Sequence, residues 1–135
     1  IDADNFVYYK LNNIINANGN VVINNINENY LIYANNATYL KNEQLFLTNG
    51  QSKAINEDIV INADNFEYNK IRNIINAKGK VKIEDTTNDY LILTNEATYF
   101  KNSEKIITRG KTEADIQSKY LITSKDVTYK HNKKS

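Results

Sequence analysis

The feature that most constrains this 135-residue chain is an internal repeat. Residues 61–70, continued by 74–83, reappear when the sequence is shifted back by 61 − 1 = 60 positions. Ile1, Ala3, Asp4, Asn5, Phe6, Tyr8 and Lys10 match the first stretch; residues 13–17, Gly19, Val21 and Ile23 match the second. The register holds without a gap through Tyr30-Leu31-Ile32 against Tyr90-Leu91-Ile92, and on to Ala54 against Ala114. About half of the paired positions are identical. Self-similarity of this kind means that one supersecondary unit is built and then built again.

A shorter period sits inside the longer one. The four glycines are Gly19, Gly50, Gly79 and Gly110, at spacings of 31, 29 and 31. Each follows a tyrosine by eleven positions: Tyr8, Tyr39, Tyr68 and Tyr99. Tyr129 opens a fifth unit whose glycine would fall past the last residue. Units of about 30 residues are thus paired into repeats of 60, and the expectation is a piece of a longer repetitive protein.

Alternation identifies the secondary structure. From 75 to 83 the odd positions are apolar or small and the even ones polar, the period of a strand with one dry and one wet face. Ile15, Ala17, Gly19, Val21 and Ile23 repeat the pattern. Phe46, Thr48, Gly50, Ser52 and Ala54 do so more weakly, as do Ile106, Thr108, Gly110, Thr112 and Ala114. The first strand of each unit also alternates: Ile61 and Ala63 inward, then Phe66 and Tyr68. The parity changes at Asp64-Asn65, which predicts a bulge or bend. Equivalent inward sets are Tyr30, Ile32, Ala34, Ala37 and Tyr39; Tyr90, Ile92, Thr94, Ala97 and Tyr99; and Tyr120, Ile122, Ser124, Val127 and Tyr129. Turn-like stretches lie at 70–73 and 101–104, and a polar link at 84–89. With no proline and no helical period, the reading is all-β, with nine strands of about ten residues.

The faces select among β architectures. Outward Asn76, Lys78, Lys80 and Lys82 are too polar for the lipid-facing band of a membrane barrel. Parallel β-helices have shorter coils than this unit and turns richer in glycine. An antiparallel solenoid of repeated hairpins, folded into two facing sheets, fits best. The net charge of +1, with dispersed lysines, lacks the footprint of a nucleic-acid binder, so no nucleic acid is expected as partner. Without cysteine there are no disulfides, and no run reaches membrane-helix length.

Residues 17–23, Ala-Asn-Gly-Asn-Val-Val-Ile, resemble the Ala-x-Gly-Asn-Val signature of the OstA-like lipopolysaccharide-transport proteins. Ile61-x-Ala63-Asp64 followed by Tyr68 is similar to that family's preceding strand. Every unit carries a version, so the resemblance covers essentially the whole chain. Departures exist: Lys80 replaces the expected asparagine, and Asn49-Gly50-Gln51 and Arg109-Gly110-Lys111 lack the alanine and valine. The ending from Ser124 to Tyr129, followed by basic residues, resembles the N-terminal periplasmic domain of the family's outer-membrane assembly proteins more than its free bridge proteins. The resemblance implies an open, V-shaped β-jellyroll whose apolar interior is a slot for acyl chains. It implies a non-enzymatic transport module of the periplasm and outer membrane of a Gram-negative bacterium, with no cofactor. Its implied partners are lipopolysaccharide and other transport jellyrolls joined edge to edge. End-to-end self-association is expected on separate grounds, because the first strand, Ile1 to Tyr9, and the last, Tyr120 to Tyr129, carry no proline or other block at their edges.

The residues expected to line that interior are Phe6, Tyr8, Ile15, Val21, Ile23, Ile32, Tyr39, Phe46, Ile61, Phe66, Tyr68, Ile75, Val81, Ile83, Ile92, Tyr99, Ile106, Ile122, Val127 and Tyr129. Taken singly, each is more simply a core residue. Small inward residues at 17, 19, 34, 48, 50, 52 and 54 mean either that the sheets approach closely there or that space remains for a guest. Lys10, Lys41, Lys70 and Lys101 sit two residues past each repeat tyrosine, with His131 in the fifth place. They could meet phosphates or simply keep turns wet. His131 has no second histidine or cysteine to share a metal or a triad, and pairs such as Glu84-Asp85 lack the ligand spacing of a calcium loop. No catalytic constellation is present. A second reading is a structural or adhesive β-solenoid binding polysaccharide or protein through its outer face.

Overall fold

The alternation resolves into thirteen strands and no helix among residues 1–130, which the computed structural model describes. They are β1 (Asn5–Tyr9), β2 (Ile14–Asn25), β3 (Tyr30–Leu40), β4 (Leu45–Asn49), β5 (Ser52–Asn56), β6 (Ile59–Ala63) and β7 (Asn65–Asn69). There follow β8 (Ile74–Asp85), β9 (Tyr90–Phe100), β10 (Lys105–Arg109), β11 (Lys111–Ile116), β12 (Tyr120–Lys125) and β13 (Thr128–Lys130). The nine expected strands are all present, but four are split at one level. The breaks fall between β4 and β5, β6 and β7, β10 and β11, and β12 and β13.

That level is a crease fixed by the glycines. Gly19, Gly50, Gly79 and Gly110 have φ of +79°, +83°, +84° and +86°, and Asn20, Gln51 and Lys80 after the first three are also left-handed. Only glycine adopts such a φ without a steric cost. The glycines also give room to neighbours: a Cβ on Gly19 would lie 2.5 Å from Asp4 Oδ2, and one on Gly79 would overlap the Asp64 carboxylate. Strands with Gly-x therefore alternate with strands carrying Asp4, Asn35, Asp64, Asn95 and Asp126. The glycine strand spends two residues at the crease where its neighbour spends one. This appears as register shifts between Asn18 and Val21 and between Lys78 and Val81.

Every pairing is antiparallel and, when β4–β5, β6–β7, β10–β11 and β12–β13 are each counted as one bent strand, joins strands consecutive along the chain, so the backbone meanders back and forth across the crease. On one side lie β1, β4, β7, β10, β13 and one half each of β2, β3, β8 and β9. On the other lie β5, β6, β11, β12 and the remaining halves. Because β3 and β8 belong to both half-sheets, β3, β4, β7, β8, β6 and β5 close a six-strand ring that the other strands extend. The half-sheets face one another: the Tyr30 and Tyr68 rings, one from each, lie 4.9 Å apart.

Two cross-strand columns make most of the core. Tyr8, Ile15, Tyr39, Phe46, Tyr68, Ile75, Tyr99, Ile106 and Tyr129 pair in succession on one half-sheet. Ile23, Ile32, Ala54, Ile61, Ile83, Ile92, Ala114 and Ile122 do so on the other. Phe66, Val21 and Val81 are buried nearer the crease.

Five expected inward residues are corrected. Phe6, Tyr8, Tyr120 and Ile122 are 49%, 52%, 65% and 46% exposed, and Ser124 is exposed with them, because β1 and β12 have a neighbour on one side only. Ile15, Tyr39, Val127 and Tyr129 are half-buried, and the other residues expected to line the interior are buried. The outer face is also less uniformly polar than the pattern of β8 suggests, since Leu31, Ile55 and Val60 pair side by side there. The small inward residues mark close approach rather than space. Thr48 and Ser52 are buried at the crease with their hydroxyl oxygens 2.7 Å apart.

Candidate functional site

The two columns face each other across the interior, and the cleft between them is the candidate site. Near β2 and β3 it opens into a cavity of about 480 Å³, whose walls include Ile1, Ile23, Ile26, Tyr39, Phe46 and Tyr68, with Lys70 at the rim. Tyr39 and Phe46 stack with centroids 4.2 Å apart, and Phe46 continues the stack to Tyr68 at 5.9 Å. Beyond Tyr68 the cleft is filled. Ile75, Ile83, Ile92, Tyr99 and Ile106 are all buried, packed against one another as a core is packed.

Opposite the crease the cleft is crossed by side chains. Asn25 Nδ2 donates to Tyr68 Oη at 3.1 Å, Tyr99 Oη donates to Asn56 Oδ1 at 2.8 Å, and Tyr129 Oη donates to Asp85 Oδ2 at 2.6 Å. The partners are separated by 43, 43 and 44 residues, so one contact recurs with the repeat. Each joins a tyrosine of the first column to the last residue of β2, β5 or β8 on the other half-sheet. Around them, Asn56 Nδ2 donates to the carbonyls of Glu28 and Asn29, and Asn73 Nδ2 donates to Glu28 Oε2 and Asn102 Oδ1. Tyr8, by contrast, donates to Asn13 within its own hairpin.

Burial governs the electrostatics of these tyrosines. Removal from water pushes the phenols of Tyr30, Tyr99 and Tyr129 well above the usual tyrosine range, and raises that of Tyr68, because a buried phenolate is poorly solvated. Nearby Glu28 acts in the same direction on Tyr30 and Tyr68, and Asp85 on Tyr99 and Tyr129. These groups are neutral phenols, unsuited to act as bases at neutral pH; Tyr68, Tyr99 and Tyr129 are hydrogen-bonded, and the buried Tyr30 hydroxyl has no partner among the described residues.

The other candidates fall into place. Lys10, Lys41, Lys70 and Lys101 open four-residue turns, where the amides of the last three donate to the carbonyls of Asn13, Gln44 and Asn73. Glu84 and Asp85 point to opposite faces: Glu84 pairs with Lys82 at 3.3 Å, while Asp85 is buried and also accepts from Asn88. Among the described residues no three histidine, cysteine or carboxylate side chains gather as metal ligands. His131 lies outside the described residues.

Asn25, Asn56 and Asp85 were not anticipated as functional positions. Their signal was present: each occupies an inward position by parity, two residues past Ile23, Ala54 or Ile83, where an apolar residue is expected. No protein-family model matches the chain, and no curated protein sequence is significantly similar to it.

Proposed function

We propose that the chain is a non-enzymatic module that shields the acyl chains of lipopolysaccharide, built as an antiparallel solenoid of hairpins folded into an open, V-shaped β-jellyroll. The observation that carries this reading is the apolar column running unbroken through all nine crossings of the crease, opening at one end into a cavity with an aromatic wall and a lysine rim. A continuous dry path is what a long alkyl chain requires, since each methylene kept from water is worth about 0.8 kcal/mol. The sequence resemblance to the OstA-like family supports the same reading. On it, the module works between the periplasm and the outer membrane and joins other transport jellyrolls through its edge strands.

A second reading is favoured by one observation, the filled interior beyond Tyr68. A structural or adhesive β-solenoid needs only a packed core and an outer face. Photo-crosslinking with purified lipopolysaccharide separates the two. A photoreactive residue at Ile32 or Ile92 should capture the glycolipid, and one at exposed Lys78 should not. Capture from neither inward site, or equal capture from all three, would establish the column as core alone.

A further inference from the structure

We propose that the three tyrosine contacts form a latch row, holding the half-sheets shut over the column, and that an apolar guest passes beyond Tyr68 only as they open. This rests on the apolar-guest reading above for its purpose, though not for its mechanics.

Along the crease the half-sheets are continuous through the backbone of every strand. The opposite margin is different. Backbone bonds there, such as Lys101 N to Asn73 O and Thr86 N to Asp58 O, stay within one half-sheet. What spans the margin is side chain: Tyr68 to Asn25, Tyr99 to Asn56 and Tyr129 to Asp85, with Asn73 to Glu28 beside them. A margin held by side chains can part without breaking a strand ladder.

The fold did not need polar groups at these places. Ile116 ends β11 at the position equivalent to Asn25, Asn56 and Asp85, so the fold accepts an apolar residue there. A dry pair would pack as well and would stay shut. A phenol bonded to an amide or a carboxylate differs: the bond favours the shut form modestly, and once separated both groups are satisfied by water, so most of the opening cost is exposure of the apolar column. A guest that covers the column removes that cost, and the equilibrium shifts toward the open form. The row is also graded. The bond beside the cavity joins two neutral groups, whereas that to the Asp85 carboxylate is charge-assisted and so the stronger. Opening therefore starts at Tyr68 and proceeds toward Tyr129.

The test is a distance measurement across the cleft. Spin labels at Lys53→Cys and Glu67→Cys, on the outer faces of the two half-sheets, should give one narrow separation in the otherwise unaltered chain. Replacing the hydroxyls in Tyr68→Phe/Tyr99→Phe/Tyr129→Phe keeps the rings and should lengthen and broaden that separation with no guest present. The same variant should bind lauric acid several-fold more tightly. If the triple variant does not fold, Tyr99→Phe alone should show the same change to a smaller extent. An unchanged narrow separation in folded variants overturns the latch. A widened variant that takes up no lauric acid upholds the latch and overturns the apolar-guest reading.

Discussion

At the crease, two glycines of nearly equal φ should respond differently to the same substitution. Gly79 and Gly110 have φ of +84° and +86°, so alanine at either meets a left-handed strain of about 1–2 kcal/mol. At Gly79 the new methyl also runs into the Asp64 side chain, whereas at Gly110 nothing lies within 4 Å. Gly79→Ala should therefore destabilise more than Gly110→Ala in urea melts, and Asp64→Ala should recover the difference. The inward column has its own test. Ile75→Asp places an unpaired charge in the core and should cost several kcal/mol out of a total of about 5–15, enough to unfold the domain. Lys80→Asp, exposed and left-handed, should cost at most about half a kcal/mol. The buried phenols add a pH dependence. Their folded pKa values are raised above that of the unfolded chain, so above about pH 10 the unfolded state loses protons that the folded state keeps. Stability should be intact below that pH and fall as pH rises past it. The share of the tyrosine absorbance change that belongs to the buried phenols should then wait for the loss of circular dichroism. Ionisation of all ten tyrosines with the fold intact would contradict the burial of Tyr30 and Tyr99.

The bends between elements show what the sequence could and could not reveal. Where a strand spends one residue at the crease, as at Asp64 or Asn35, the inward series jumps by three, Ala63 to Phe66 or Ala34 to Ala37, and the break in parity is legible. Where it spends Gly-x, the inward series steps by four, Ala17 to Val21, and the alternation runs on as though the strand were straight. The nine long strands were therefore readable, but their folding over was visible in only half of them. The same two-for-one count explains hydroxyls that look like degraded core positions. At the crease between β4 and β7 the Phe66 amide donates to Thr48 Oγ1 at 2.9 Å. Between β10 and β13 the Val127 amide donates to Thr108 Oγ1 at 2.7 Å. Each threonine supplies the acceptor that the interrupted ladder lacks, a role that depends on three-dimensional register and leaves no trace in hydropathy. Thr48→Val keeps the shape but orphans the amide, and should cost about 1–3 kcal/mol with faster hydrogen exchange at Phe66. Unchanged exchange at that amide would remove the threonine's assigned part.

For the whole molecule, strand parity decides what the open edges can accept. Strands β1, β3, β6–β7, β9 and β12–β13 run one way across the crease, and the glycine-bearing β2, β4–β5, β8 and β10–β11 run the other. The outermost described strands, β1 and β12–β13, are thus both of the first kind and parallel to each other. Stacking a second copy by simple translation would set like strands side by side in parallel. It would also bring Asp126 near Asp4 with no glycine between to make room. End-to-end self-association should accordingly be weak. The edge fits instead an antiparallel strand of the glycine kind, which would continue both the hydrogen-bond ladder and the alternation at the crease. A synthetic peptide with the sequence of β8, residues 74–85, presents such a strand. It should bind the β12–β13 edge and slow hydrogen exchange there. Its Gly79→Val counterpart should bind far more weakly, since valine resists the left-handed conformation. Equal binding by the two peptides, or tight translational dimers of the chain alone, would show that the edge does not read this alternation.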